Sequence, residues 1–295
     1  MHKLSRLLYS KHSLNILYIP PLLLVIIFIY SPFFKGILYS FTNWDGYSSA
    51  FKAVGLENYI RIFTERRILQ TIGNTLIYGF GSTVLQCAIG LAFALLLVRK
   101  LLMNKIIRTI IYLPIIISNL IMGYIWYFFF QFNGGAINDI LILLGFEPVN
   151  LLAKGSVAVG IIVLVNTYQY LGSAMVIFMA GIQSIPVEYY EAAKIDGASG
   201  FAEFKNITLP LLMPSITISV TLNIIGGLNL FGVIVALTNG GPGYATSSLS
   251  TMMYQLYFAE QNAGLAAALG VIMFVIISGF SITSLLALRK REVEV

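Results

Sequence analysis

The side chains best equipped for chemistry in this chain are neutral. Asn119, Tyr168, Gln169, Tyr170, Ser173, Asn223 and Asn229 stand inside long apolar runs, with Tyr124, Trp126 and Asn166 beside them. Amides and phenols donate and accept hydrogen bonds, and aromatic rings add flat apolar faces, so the set suits a pathway for a neutral, hydroxyl-rich solute such as a sugar. The same groups serve equally well as glue between membrane helices. Charged groups are missing from these runs. Drawn at about 14–34, 69–98, 109–130, 157–180, 211–237 and 265–288, they hold no Asp, Glu, Lys, Arg or His. Ionisable groups within a membrane mark proton relays and ion pathways, so this pattern argues against a proton-driven device. A sodium site built of carbonyls and hydroxyls stays open. There is no H-E-x-x-H, no glycine-rich phosphate loop ending in Lys-Ser or Lys-Thr, and no spaced Cys or His cluster. His2 and His12 read as solvated residues, and Cys87, alone in an apolar run, as a small buried hydrophobe. The expectation is a chain with no catalytic residues, no metal and no cofactor of its own.

The elements that must position these groups follow from composition. The chain is 58% hydrophobic and 10% charged, with mean hydropathy +0.86, against roughly 25% charged for a soluble domain. It reads as an all-α membrane protein with six transmembrane helices in one domain spanning 1–295. A net charge of +6 would suggest nucleic acid for a soluble protein. Here the bases flank apolar runs and set topology instead, so no nucleic-acid partner is expected. The first apolar run is too long for a signal-peptide core and no small-x-small cleavage site follows it, which reads as an uncleaved span in the lipid bilayer. Between spans, 36–70 is expected to be a loop with an interfacial helix near Asn58–Phe63. The segment 136–154 is expected to be an external loop with a short apolar helix near Ile137–Leu144. Asn239-Gly-Gly-Pro-Gly243 must turn sharply within a loop at 238–260. Of the 18 Lys and Arg, twelve fall on the side that holds both termini, among them Lys3, Arg6, Lys11, Arg99, Lys100, Lys105 and Arg108. That bias places both termini in the cytoplasm.

The most polar long interruption, 181–210, lies on the same side between the fourth and fifth spans. Glu188-Tyr-Tyr-Glu-Ala-Ala-Lys-Ile-Asp-Gly-Ala-Ser-Gly200 reads as a helix over Val187–Ser199, with Pro186 in its first turn and Gly197 in a left-handed C-terminal cap. Ala192 and Ala193 favour helix. So short a helix is marginal alone in water and must dock on something, and the two alanines give a face that a partner can approach closely. Glu191 either pairs with Lys194 three residues on or points at a partner's cation.

These residues also carry a resemblance. Glu191-Ala192-Ala193, then Gly197, then Ile207-Thr208-Leu209-Pro210 look like the EAA loop of binding-protein-dependent ABC importer permeases. Phe41-Thr42-Asn43-Trp44-Asp45, Gly55-Leu56-Glu57-Asn58-Tyr59 and Leu237-Thr238-Asn239-Gly240-Gly241-Pro242 resemble recurring segments of that family's sugar branch, similar to multiple-sugar and maltose-type permeases. The resemblance implies a coupling helix that inserts into a cytoplasmic ATPase, with Glu191, Ala192, Ala193 and Gly197 at its centre and Tyr190, Lys194 and Asp196 beside them. It implies a second homologous permease subunit, two ATPase subunits that bind ATP and Mg, and an extracytoplasmic solute-binding protein. The setting would be a bacterial or archaeal cytoplasmic membrane, and the cargo a carbohydrate moved by alternating access. A reading from another class is an ion-gradient-driven secondary transporter or channel for a small polar solute, supported by the helix count and the glycine-rich fifth span.

Overall fold

The computed structural model describes residues 18–98 and 103–293. His2, His12, Lys3, Arg6, Lys11, Arg99 and Lys100 lie outside the described residues. Regular structure among the described residues is helical, apart from one isolated bridge between Thr42 and Ala53. Four helices are long and apolar enough to cross a membrane: α1 (Ile19–Tyr39), α3 (Arg66–Val98), α7 (Gly155–Gln183) and α13 (Ala263–Arg289). Two bent pairs bring the total to as many as six. In one, α4 (Asn104–Ile116) meets α5 (Asn119–Phe130) at 103°, and in the other α9 (Gly200–Leu211) meets α10 (Met213–Leu228) at 65°. Shorter helices are α2 (Glu57–Thr64), α6 (Ala136–Leu143), α8 (Val187–Ile195), α11 (Gly232–Leu237) and α12 (Leu249–Phe258). Wide π-helical turns occupy Ile26–Tyr30, Ile77–Gly81 and Phe204–Thr208.

Several sequence expectations change here. The run expected at 109–130 is broken at Ile117 and Ser118, whose backbones are extended. Pro114, in the short 3-10 turn Leu113–Ile116, lacks the N–H that would continue the α-helical ladder. The run expected at 211–237 stops at Leu228 and restarts at Gly232, so the break falls between its glycines. Residues 238–260 are not simply a loop: they contain α12, whose Leu249, Met252 and Leu256 recur at helical spacing and are fully buried. The apolar helices also outrun the charge-free stretches. Lys35 lies near the C-terminus of α1, and Arg66 and Arg67 open α3, all close enough to helix ends for a long side chain to reach the interface.

The described residues form two compact units, those within 1–62 and 253–272 and those within 63–252 and 273–295. In the first, Asn58 ties down the chain after α1: its Nδ2 donates to the carbonyls of Ser40 and Thr42, each at 2.9 Å. Tyr39 stacks on Trp44 with ring centres 4.2 Å apart. Asp45 accepts from the N–H groups of Tyr47 and Ser48, which hold its carboxyl below the usual carboxylate range.

In the second unit, α3 and α7 are in intimate contact because glycines let their backbones approach. A Cβ built on Gly90 would meet Ala174 Cβ at 2.8 Å and Met175 N at 2.9 Å, and one on Gly172 would meet Ile111 O of α4 at 2.5 Å, so α7 comes as close to α4. One buried cluster joins Tyr78, Met122, Ile162, Val165, Val233 and Ile234, and a second joins Ala94, Leu97, Ala174, Met175, Phe178 and Leu212. Gly90→Val is expected to lower stability by about 1–3 kcal/mol through overpacking. Gly226→Ala, where nothing lies within 4 Å, should melt at or above the parent temperature in detergent. A thermal melt of the two purified variants checks both.

Candidate functional site

Two groups of residues are candidates, one on α8 and one on the broken helices. The nine residues of α8 bury no side chain. Pro186 is its N-cap, with φ −58° and ψ 137°, one residue ahead of the expected first turn. The helix ends at Ile195, four residues short of the expected Ser199, because Gly197 turns the chain at φ +72°. Ala198 N–H donates to Ala193 O at 2.9 Å and Gly197 N–H to Lys194 O at 3.1 Å, the paired bonds of a Schellman cap. Ser199 then caps the next helix by accepting from Ala202 N–H. Local hydrogen bonds therefore fix where α8 stops and where α9 starts.

The face that α8 presents is mixed. Glu191, Ala192, Lys194 and Asp196 are exposed, and Ala193 is half-buried. Among the described residues no ion pair joins Glu191 to Lys194. Ile195 is 86% exposed and Phe201, in the first turn of α9, is 74% exposed. Tyr190 turns inward. Its hydroxyl is 3.0 Å from the Thr208 hydroxyl, in the π-helical turn of α9, and Thr208 is buried.

The second group forms where α4 meets α5. The break leaves the Ile117 carbonyl without a helical partner, and Gln169 Nε2 donates to it at 2.8 Å and to Asn119 Oδ1 at 3.0 Å. Tyr170 Oη donates to the same Asn119 oxygen at 2.7 Å. Gln169 is fully buried, and its Oε1 has no hydrogen-bond partner. Asn119, Gln169 and Tyr170 thus come together. Tyr168 does not join them, because two helical steps put it about 200° around the axis from Tyr170; it is half-exposed and packs edge-on against Trp126 at 5.5 Å. Asn223 is elsewhere, donating to Ser219 Oγ at 3.2 Å beside Cys87. Asn229 caps α10 and is exposed, and Ser173 is half-buried on α7.

Sequence reasoning missed the residues that close the second break. Ser248 Oγ donates to Leu230 O at 2.7 Å, between α10 and α11. Asn74 Nδ2 donates to Ala245 O and Ser247 O, and Tyr78 Oη to Thr246 O at 2.9 Å. The available signal was Asn74 and Tyr78 lying four apart, on one face of an apolar helix.

Residues 86–292 match the family described as binding-protein-dependent transport system inner membrane component. A probable permease protein for starch degradation products from Thermoanaerobacterium thermosulfurigenes is 35% identical, covering 93% of this chain and 93% of its own length. The trehalose/maltose transport system permease protein of Thermococcus litoralis is 34% identical over 98% of each chain. A solved chain of a bacterial ABC transporter involved in import of the acidic polysaccharide alginate superposes with a TM-score of 0.82 at 23% identity, covering 98% of this chain and 99% of that one, so the two share a fold. Gln169→Leu is expected to leave the Ile117 carbonyl unpaired and to cost about 1–3 kcal/mol. Ser173→Ala should leave the thermal melt in detergent unchanged, and comparing the two checks the bond.

Proposed function

The chain belongs to the family of binding-protein-dependent transport system inner membrane components, and from that premise we propose that it is a six-span permease subunit of an ATP-driven carbohydrate importer. The two bent helix pairs each count as one span in this reading, with both termini in the cytoplasm. The carbohydrate assignment rests on the named transport of starch degradation products, trehalose/maltose and multiple sugars by relatives at 34–35% identity. The amides and hydroxyls in the apolar helices suit a neutral oligosaccharide, since no charged group lies deep within them to meet an acid. Partners follow the family: a second homologous permease, two ATPase subunits that bind ATP and Mg, and an extracytoplasmic solute-binding protein. The solved alginate transporter in complex with a pentasaccharide-bound periplasmic protein is the precedent for the last. Family membership displaces the ion-gradient-driven transporter or channel.

In this reading α8 is the coupling helix. The observation that carries it is a capped helix that buries no side chain and leaves Ile195 and Phe201 to be covered by something else. Glu191 supplies a charge for the ATPase, Ala192 and Ala193 a close approach, and Gly197 the turn. Tyr190 links the helix to Thr208, so movement of α8 bears on α9 and then on the 65° bend into α10. Lys194 and Asp196 lie at the rim of that contact.

Two outcomes test this. Solubilised wild-type protein drawn from its native membrane should bring an ATPase subunit with it, and Glu191→Ala should bring less; equal recovery overturns the docking role of Glu191. Gly197→Val forces a β-branched residue to φ +72° at a cost of about 1–3 kcal/mol. It should leave ATP hydrolysis by the reconstituted complex running while sugar uptake falls. Unchanged uptake overturns the assignment of the turn.

A further inference from the structure

The helix α6, which follows α5 by five residues, has a surface that transport does not explain. Its exposed side chains are aliphatic or aromatic, with Asp139 alone carrying charge: Leu143 is 85% exposed, Leu144 67%, Phe146 63% and Ile140 55%. Ile140, Leu143 and Leu144 recur at helical spacing on one face. Phe146 is held to the same helix by a cap. Its N–H donates to Leu141 O at 2.8 Å and Gly145 N–H to Ile142 O at 3.0 Å, with Gly145 at φ +81°. The apolar face is therefore a fixed object and not a frayed end.

Its position is fixed as well. Asn138, on the opposite side of α6, is 2% exposed and makes three hydrogen bonds. Its Nδ2 donates to Phe132 O and Val149 O, each at 3.1 Å, and its Oδ1 accepts from Val149 N–H at 2.9 Å. These bonds pin α6 next to the end of α5, whose outward side chains Tyr124, Phe128 and Phe129 are exposed, as is Phe132 just beyond. The exposed apolar residues of α6 and the exposed aromatic residues at the end of α5 are thus joined through these bonds. A soluble partner that binds and leaves would repeatedly return Leu143 and Phe146 to water, so the cover has to be permanent. Lipid at the end of a membrane helix is such a cover, and an interfacial helix seats its apolar face about 5–10 Å into the boundary of headgroups and chains.

We propose that α6 is a membrane-interface anchor, lying in the headgroup layer at the end of α5 with Ile140, Leu143, Leu144 and Phe146 in the acyl boundary. Asp139, in the first turn of the helix, and Glu147, four residues beyond its last, remain in the aqueous layer. The proposal holds whichever solute the protein carries and whichever way the chain is oriented.

The test uses the assembled transporter in proteoliposomes. In a Cys87→Ser background, a spin label is placed at Leu143→Cys, Phe146→Cys or Glu147→Cys, and collision with oxygen, which partitions into lipid, is compared with collision with a water-soluble nickel chelate. The oxygen-to-nickel ratio at 143 and 146 should exceed that at 147 several-fold. A water-like ratio at 143 and 146 overturns the proposal, and so does protection from both reagents, which means protein cover. Wild-type protein supplies a second measurement that needs no substitution, using a phospholipid with a photoreactive diazirine high on one chain. Labelling of the peptide spanning 136–149 supports the anchor. Labelling of α5 without that peptide overturns it.

Discussion

Backbone groups freed by a break in a membrane helix have no water to turn to, so the protein itself must satisfy them. Much of this architecture follows from that constraint. At the end of α3, the Leu97 carbonyl accepts from Asn104 Nδ2 at 2.9 Å and Arg108 Nη2 at 2.6 Å. At the break between α4 and α5, Gln169 serves Ile117. At the break between α10 and α11, Ser248 serves Leu230. The segment from Ala245 to Ser247 is held by three donor bonds from Asn74 and Tyr78 on α3. Many polar side chains in the apolar helices are thus matched to particular interruptions of the backbone. The breaks and their partners form one system, since a break without its donor leaves a buried carbonyl bare, and a donor without its break has nothing to bind.

That division sharpens the polar set. Gln169 and Tyr170 spend donors on Ile117 and Asn119, which makes them first of all structural. Gln169 Oε1, Asn166 Oδ1 and Gln86 Oε1 remain as buried acceptors without partners, and an oxygen of that kind is what a hydroxyl-bearing molecule or a water would meet. In Gln169 and Gln86 the amide nitrogen serves a backbone carbonyl and the oxygen is left over.

The sequence made the long helices legible because hydrophobicity integrates over twenty or more residues, and α3, α7 and α13 fall within a few residues of their expected bounds. The Gly197 cap was legible for a different reason, since a left-handed turn after a helix strongly favours glycine. The break at Ile117 was not. Pro114 signalled it, but a proline in a membrane helix is compatible with a mild kink as well as a 103° bend, and tertiary contacts decide between them. The α12 helix was hidden by the glycines and proline just before it, which mark a turn without specifying the structure beyond it. Tyr168 was grouped with its neighbours by proximity in sequence, while helical geometry turns it nearly opposite to Tyr170.

The single hydrogen bond from Tyr190 to Thr208 has a kinematic meaning. Backbone leaves α8 at both ends, through Pro186 toward α7 and through Gly197 toward α9. Two tethers define an axis about which a rod can still swing. A third attachment off that axis removes the remaining degree of freedom, and among the described residues Tyr190 makes the one side-chain hydrogen bond leaving this helix. One phenolic oxygen thereby holds the rod at one swing angle against the π-turn of α9.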